Sequence, residues 1–327
     1  MDYAAKPKLS IVIPCFNAAA FLPETLRSLH NHLGSDVEII LVDDGSTDET
    51  ANVVKPFISE NVRYYAQKNS GGPASPRNVG IEKARSDLIG FFDADDLAIT
   101  DHFLVSAELM RVNPEVGMVC GNFHISDEAL NVQRPSALDE SRILQKALIK
   151  ELEDGAWLLT ADVALSVLLQ KNFVGTASVI IRRSVFDKVG DFDESLKNLD
   201  DRDMWLRVAR HYDFIYRNES TYIYRSVPSS ISKQRLESQA LERIHVGHKL
   251  IAEGLPKSQR KLARQWIGRN HLVIGHSLFE QKDLIAARCA FRLGFFYAPC
   301  WPAFKGVVKS VLPRSVYLSM RGLKRFL

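Results

Sequence analysis

The residues best equipped for chemistry stand at Asp93-Ala94-Asp95-Asp96, where an apolar run from Asp87 to Phe92 ends in three carboxylates. Alternation at a strand end puts Asp93 and Asp95 on one face, roughly 6.5–7 Å apart along the chain. Two hard oxygen donors at that separation can hold one Mg2+ or Mn2+, leaving its other positions to water and substrate phosphates. A second acidic group, Asp200-Asp201-Arg202-Asp203, opens a run of helical periodicity that continues through Trp205 and Arg207. Acids are favourable in the first turn of a helix, but three of them beside a Trp and an Arg exceed what capping requires. Polar residues also follow the other apolar runs: Asn17, then Asp43 and Asp44, then Asn69. In open α/β sheets, loops at the carboxyl ends of the strands converge on a ligand.

Periodicity predicts the elements that must carry these residues. Leu9–Pro14 and Val37–Val42 are continuous apolar runs, as expected of parallel strands covered on both faces. Ala18 to His32 has a helical pattern, and Ser46-Thr47-Asp48-Glu49 opens another helix with cap-type residues and early acids. Val62–Ala66 is a third strand, and the Gly/Pro loop from Asn69 to Pro76 leads into a helix, Arg77–Ala84, before the strand that ends at Asp93. The order β-α-β-α-β-α-β predicts an α/β fold with a doubly wound, mostly parallel sheet flanked by helices. Beyond it the pattern predicts a strand at Val116–Phe123, a polar excursion over Ser126–Ala147 and a helix over Asp154–Gln170. Val174–Ile181 then returns to the sheet, followed by short helices at Arg182–Val189 and Asp200–Val208. From about Leu241 helices replace strands, which divides the chain into an α/β domain, 1–235, and a helical C-terminal region, 236–327.

Composition narrows the class. The 327 residues are 46% apolar and 25% charged, ordinary for a folded protein. Cys15, Cys120, Cys289 and Cys300 show no C-x-x-C spacing, which suggests reduced thiols, a cytoplasmic setting and no zinc site. Met1–Lys8 is polar and does not resemble a signal peptide. No uncharged apolar run reaches the roughly 18 residues of a transmembrane helix. Neither G-x-G-x-x-G nor a Walker A sequence occurs, so neither a dinucleotide dehydrogenase nor a P-loop enzyme is supported.

Six segments occur in the order and spacing of glycosyltransferase family 2: SIVIPCFN, ILVDDGSTDET, KNSGGPASPRNVGI, LIGFFDADDL, GDFDESL and DDRDMWLRVA. The chain resembles a bacterial member with the GT-A, Rossmann-like fold over residues 8–232. By position, the resemblance implies that Pro14 and Asp44 border the uracil of a UDP-sugar, with Asp43 beside them. It places Asn69 and Arg77 near the base and diphosphate, and Asp93 and Asp95 as the D-x-D motif that sets Mn2+ or Mg2+ on the diphosphate. Asp201 matches the catalytic base of the family's Glu-Asp motif. Asp200 stands where the family usually has Glu, so either residue of that pair is a candidate base. Many members carry a His where this chain has Val227. The implied reaction is inverting, metal-dependent transfer to a hydroxyl of a surface glycan or lipid-linked envelope precursor. A divalent ion serves the leaving diphosphate and one base serves the acceptor. A glycosidase would instead need a carboxyl pair and no metal. A nucleotidyltransferase would want a basic NTP-binding signature early in the chain, and none precedes Arg27. A non-catalytic scaffold of the same fold would not need Asp93, Asp95 and Asp201 intact.

The C-terminal region has its own character. Gly275, Ala287, Phe291 and Pro299 match the spacing of one tetratricopeptide repeat, with His271 and Leu278 at its expected Trp and Tyr positions. A lone helical hairpin of this kind packs on the catalytic domain or on a second copy, so a homo-oligomer is one expected partner. From Leu284 to Leu327 there are eight Lys and Arg and no acid, leaving 34 basic and 39 acidic residues in the remainder. With Phe295-Phe296-Tyr297, Trp301 and Phe304, this reads as a basic amphipathic tail contacting an anionic membrane peripherally. Nucleic acid is disfavoured as a partner because the rest of the chain is acidic.

Overall fold

The structure, a computed structural model, describes residues 7–138, 141–153, 155–227 and 236–311. It divides into two compact units, Met1–Ser230 and Ile231–Leu327.

The first unit begins with a parallel block: β1 (Leu9–Cys15), β2 (Val37–Asp43), β3 (Val62–Ala66) and β4 (Leu88–Phe91). Its crossovers are α1 (Leu22–His32), α2 (Thr50–Val54) and α3 (Ala74–Lys83). β2 is buried along its whole length, as its unbroken apolar run requires. α3 lies close against β1 because Gly80 faces Val12; a Cβ there would come within 2.2 Å of Val12 Cγ1. That approach sets the depth at which Arg77, one turn earlier, meets the sheet.

The chain continues through β5 (Leu97–Ala98), α4 (His102–Val112), β6 (Val116–Ser126), β7 (Val132–Arg134), α5 (Arg142–Gln145), β8 (Lys150–Glu153), β9 (Ala156–Leu159) and α6 (Ala161–Leu168). A 3-10 turn at Thr176–Ser178 leads into β10 (Ile180–Arg182), α7 (Arg183–Val189), α8 (Asp200–Val208) and β11 (Asp213–Arg225). The strand order is β3-β2-β1-β4-β10-β6-β11-β9-β8, with β7 on β6 and β5 on β11.

Two expectations are corrected here. The sheet is mixed: β10 runs antiparallel to both β4 and β6, and β5, β7, β8 and β9 also pair antiparallel. β10 has this direction because the chain enters it from the turn at the edge where β4 leaves the sheet; Phe91 N–H donates to Val179 O at 3.1 Å. The helix expected over Asp154–Gln170 shrinks to α6, and the preceding Ala156–Leu159 pairs as a strand with β11.

Aromatic packing fixes α8 against the end of β4. Phe91 meets Phe192 edge-on at 5.3 Å, Phe192 meets Trp205 at 5.9 Å, and Phe91 lies 6.3 Å from Trp205. Such pairs contribute about 0.5–1.5 kcal/mol each beyond their buried area. Trp205 sits one turn past Asp201, so this cluster carries the acidic start of α8 toward the carboxylates after β4.

The second unit contains α9 (Leu236–Ala252), α10 (Lys257–Glu280), α11 (Leu284–Tyr297) and α12 (Trp301–Val311). α10 and α11 form a hairpin in which Gly275 admits Phe291; a Cβ would lie 2.7 Å from its ring. Asp283 caps α11 by accepting the Ala286 N–H at 3.0 Å. No helix among the described residues is long and apolar enough to cross a membrane. Residues 312–327 of the expected basic tail lie outside the described residues.

Candidate functional site

Three loops at one sheet edge are braced together before any ligand is considered. The side chain of Asn17, held at φ 49°, accepts the Thr47 N–H at 2.8 Å, and the Asn17 N–H donates to Ser46 Oγ at 2.8 Å. Asp43 accepts the Ser46 N–H at 2.8 Å and the Tyr64 hydroxyl at 2.5 Å. Asp44 accepts from Gln67 at 2.6 Å and from the Ser70 N–H and hydroxyl at 3.0 and 2.9 Å. Both aspartates are buried; Asp43 holds the Ser46 loop and Asp44 holds the Asn69 loop through Ser70. Gly45 has φ 76°, and a Cβ there would come within 2.7 Å of Asn69 N; glycine is required on both counts. Pro14 is the one partly exposed residue of β1 and stands opposite Val42, next to these loops.

Arg77 joins the two acidic groups. From α3, its guanidinium donates to Asp200 at 2.6 Å and to Asp93 at 3.2 Å. The group also lies 5.6 Å over the ring of Phe192. Arg77 and Asp200 are buried, whereas Asp93 is partly exposed. Burial works against the charge on Arg77, but Asp200, Asp93 and Asp201 together hold it above its usual value. Asn78 ties the same helix to residue 192, accepting the Phe192 N–H at 2.9 Å and donating to its carbonyl at 3.0 Å.

The carboxylates after β4 differ from one another. Burial raises Asp93 above the usual carboxylate range, opposed by Arg77. Burial and the charge of Asp93 push Asp95 up to about 6. Asp96 is fully buried and raised well above its usual value, chiefly by burial. Its Oδ1 accepts the Arg225 N–H at 3.0 Å, while its Oδ2 has no hydrogen-bond partner among the described residues. Arg225 also donates to the Asp95 carbonyl at 3.0 Å and to Glu24 at 2.6 Å, with Phe21 4.9 Å beneath it. Asp96 and Arg225 therefore fix the loop and leave Asp93 and Asp95 as the accessible oxygen donors.

No group of three His, Cys, Asp or Glu among the described residues could hold a metal ion by itself. Two hard carboxylates fit a cation that draws its remaining ligands from phosphate oxygens and water, the ordinary habit of Mg2+. Asp95 is raised first by burial and then by the charge of Asp93, and a cation shared by the two carboxylates would relieve that repulsion.

All three acids in the first turn of α8 have partners. Asp203 pairs with Arg207 at 2.8 Å, and Arg207 also donates to the carbonyls of Val189 and Asp191, tying α8 to the Gly190–Glu194 segment. Asp200 belongs to Arg77, and burial pushes its carboxyl up to about 6 against the pull of that cation. Asp201 Oδ2 accepts the Thr176 hydroxyl at 3.0 Å, and Asp201 is partly exposed where Asp200 is not.

Sequence reasoning missed Thr176, Arg225, Asn78 and Lys197, whose ammonium donates to Ser70 O at 3.1 Å beside Gly71 and Gly72. Asn78 lies inside the segment KNSGGPASPRNVGI and Lys197 directly follows GDFDESL, so both could have been found there. Thr176 and Arg225 act through contacts that only the folded sheet creates.

The turn bearing Thr176 is held by His102, whose Nε2 lies 2.7 Å from Ser178 O while Arg217 Nη1 lies 3.2 Å from Nδ1. Arg217 can only donate, so Nδ1 accepts and the imidazole is neutral with its proton on Nε2. Burial, aided by the charge of Arg217, lowers the His102 pKa to about 3. A depressed histidine costs stability as pH falls below its unfolded value near 6.5, because only the unfolded chain then takes up the proton. Lowering the pH from 7.5 to 5.5 should remove about 1.4 kcal/mol through His102. Asp95 and Asp200, with raised values, act with the opposite sign. Urea unfolding of wild type and His102→Gln at both pH values isolates the histidine. Identical pH dependence in the two proteins would refute this account.

The sequence model of glycosyl transferase family 2 matches residues 10–190, more than half of the chain. The chain belongs to glycosyl transferase family 2. Curated relatives of this family-2 chain include the uncharacterized glycosyltransferase EpsJ of Bacillus subtilis (strain 168), 28% identical over 69% of this chain and 63% of that protein. Another is the GalNAc(5)-diNAcBac-PP-undecaprenol beta-1,3-glucosyltransferase of Campylobacter jejuni, 24% identical over 67% of this chain and 65% of that protein. The chain thus spans under two thirds of both relatives. Among solved structures, S. aureus TarS 1-349 in complex with UDP-GlcNAc matches with a TM-score of 0.64 at 17% identity, covering 92% of this chain and 90% of that one. At that identity the likeness shows the fold, a GT-A-like mixed α/β unit followed by helices.

Proposed function

We propose that this family-2 protein transfers a sugar from a UDP-sugar to a hydroxyl of a glycan or lipid-linked glycan precursor, with inversion at the anomeric carbon. One observation carries this reading. Arg77 holds Asp93 and Asp200 in a single cluster, although they lie 16 and 123 residues away in sequence. Donor-side and acceptor-side carboxylates are thereby parts of one site. The name of the Campylobacter relative, which specifies an undecaprenyl-diphosphate-linked acceptor, supports the lipid-linked class.

In this reading Pro14, Asp43, Asp44 and Asn69 form the cradle for the base, the two buried aspartates acting through the Ser46 and Ser70 loops that they respectively brace. Arg77 and the Lys197 ammonium supply positive charge near the diphosphate. Mg2+ or Mn2+, held by Asp93 and Asp95, would neutralise charge on the departing diphosphate as a Lewis acid. Asp201 takes the proton from the acceptor hydroxyl, and Thr176 orients its carboxylate. Asp200 positions Arg77, being buried and already committed to it. The basic tail, beginning at Lys305 in α12, would hold the protein on the anionic cytoplasmic face of a membrane.

Calorimetry with UDP provides the test. Mn2+ should strengthen UDP binding to the wild type, and Asp95→Ala should bind UDP only as tightly as metal-free wild type. An unchanged metal response in Asp95→Ala would remove Asp95 from the site.

A further inference from the structure

The second unit contains a cleft of about 790 Å3 that plays no part in the site just described. One wall is α10, where Lys257, Arg260, Lys261 and Arg264 recur at the spacing of one helix face, with Arg269 further along. The other wall is the corner from Tyr297 to Cys300, joining α11 to α12. Among the described residues, five cations line the cleft and no acid does. None of Lys257, Arg260, Lys261 and Arg264 takes part in an ion pair among the described residues.

Two of these cations are held in place by the fold. Arg260 donates to Leu255 O at 3.1 Å. Arg264 lies 5.4 Å over Phe296 and 5.3 Å over Tyr297, and donates to Phe296 O at 3.4 Å. Fixed guanidinium groups without carboxylate partners are suited to phosphate oxygens.

The rim indicates which phosphate. Phe296 is 64% exposed and Trp301 62%, and Trp301 stacks on the half-exposed Phe304 at 5.5 Å. Lys305 Nζ lies 5.2 Å over the Trp301 ring. Exposed aromatics beside cations are the pairing expected at a headgroup boundary, where rings enter the interface and cations meet phosphate. A soluble anion would gain nothing from these rings.

We propose that the cleft between α10 and the α11–α12 corner recognises the phosphate of an anionic lipid headgroup, with Phe296 and Trp301 seated in the interface beside it. This rests on the reading of the protein as peripheral to a membrane, but assigns the contact to a built cleft in place of the tail alone. Co-sedimentation of the full chain tests it, using vesicles of phosphatidylcholine alone or mixed with phosphatidylglycerol. Wild type should bind only the mixed vesicles. Arg260→Gln/Lys261→Gln should bind them roughly 30-fold more weakly, from the loss of two basic contacts. Lys257→Gln/Arg264→Gln serves as an independent second variant. Far-UV circular dichroism and the thermal unfolding profile should be unchanged in both, which shows that each is folded. Wild-type affinity in both variants, with binding lost on deleting residues 312–327, would overturn the cleft and leave the peripheral reading standing. No vesicle binding by wild type would overturn both. Binding to soluble inorganic polyphosphate without binding to vesicles would overturn the lipid assignment.

Discussion

Asp201→Asn is expected to lose about 10²–10⁴-fold in transfer turnover, the usual value of general-base catalysis, while binding UDP-sugar normally. Asparagine keeps the size of the side chain and its hydrogen bond from Thr176, but cannot accept the acceptor's proton. Successive residues of a helix point about 100° apart, so Asp200 and Asp201 face different partners. Asp200 faces Arg77 at 2.6 Å in a buried setting; Asp201 is partly exposed. Asp200→Asn should therefore cost less turnover and show its effect in donor affinity through a displaced Arg77. Single-turnover kinetics on both variants separate these effects. Near-normal transfer by Asp201→Asn would sink the assignment, and a loss confined to Asp200→Asn would move the base by one residue.

Arg77→Met should destabilise the protein by about 3–5 kcal/mol, the cost of leaving a buried carboxylate without its counter-charge. The side chain is 7% exposed and that of its partner Asp200 3%, so solvent can do little to compensate. The Asp200 carboxyl, already up at about 6, can escape by taking a proton. The loss should accordingly be larger at pH 8 than at pH 5, and Asp200→Asn in the same chain should recover part of it. Urea unfolding of the two single variants and the double variant measures the coupling. A loss below about 1 kcal/mol at pH 8 would mean that Arg77 does not stabilise this cluster.

The sequence made the parallel block readable because β1 and β2 are buried on both faces and its loops carry Gly, Pro and acids. The expected strand at Val62–Ala66 and the expected helix at Asp200–Val208 coincide with β3 and α8. The second half of the sheet was less readable. Ala156–Leu159 has a local pattern that suits a helix as well as a strand, and its pairing with Phe214–Arg217 decides the matter from nearly 60 residues away. β10 has only three residues, and nothing local sets its antiparallel direction. Of the site, the acids could be read because their types and spacing are unusual. Their partners could not: Arg77 to Asp200 spans 123 residues, and Arg225 to Glu24 spans 201.

The reach of Arg77 also has a consequence during synthesis. Arg77 and Asp93 are translated early, but Asp200 follows 123 residues after Arg77. At 5–20 residues per second, the nascent chain carries that cation for roughly 6–25 s with Asp93 as its sole partner from the final cluster. The parallel block can assemble in that interval, yet the buried Arg77 lacks its closer carboxylate until α8 emerges and docks through Trp205. An isolated fragment ending before residue 200 would keep the donor-side loops and lack the carboxylate that makes their central arginine tolerable in the interior.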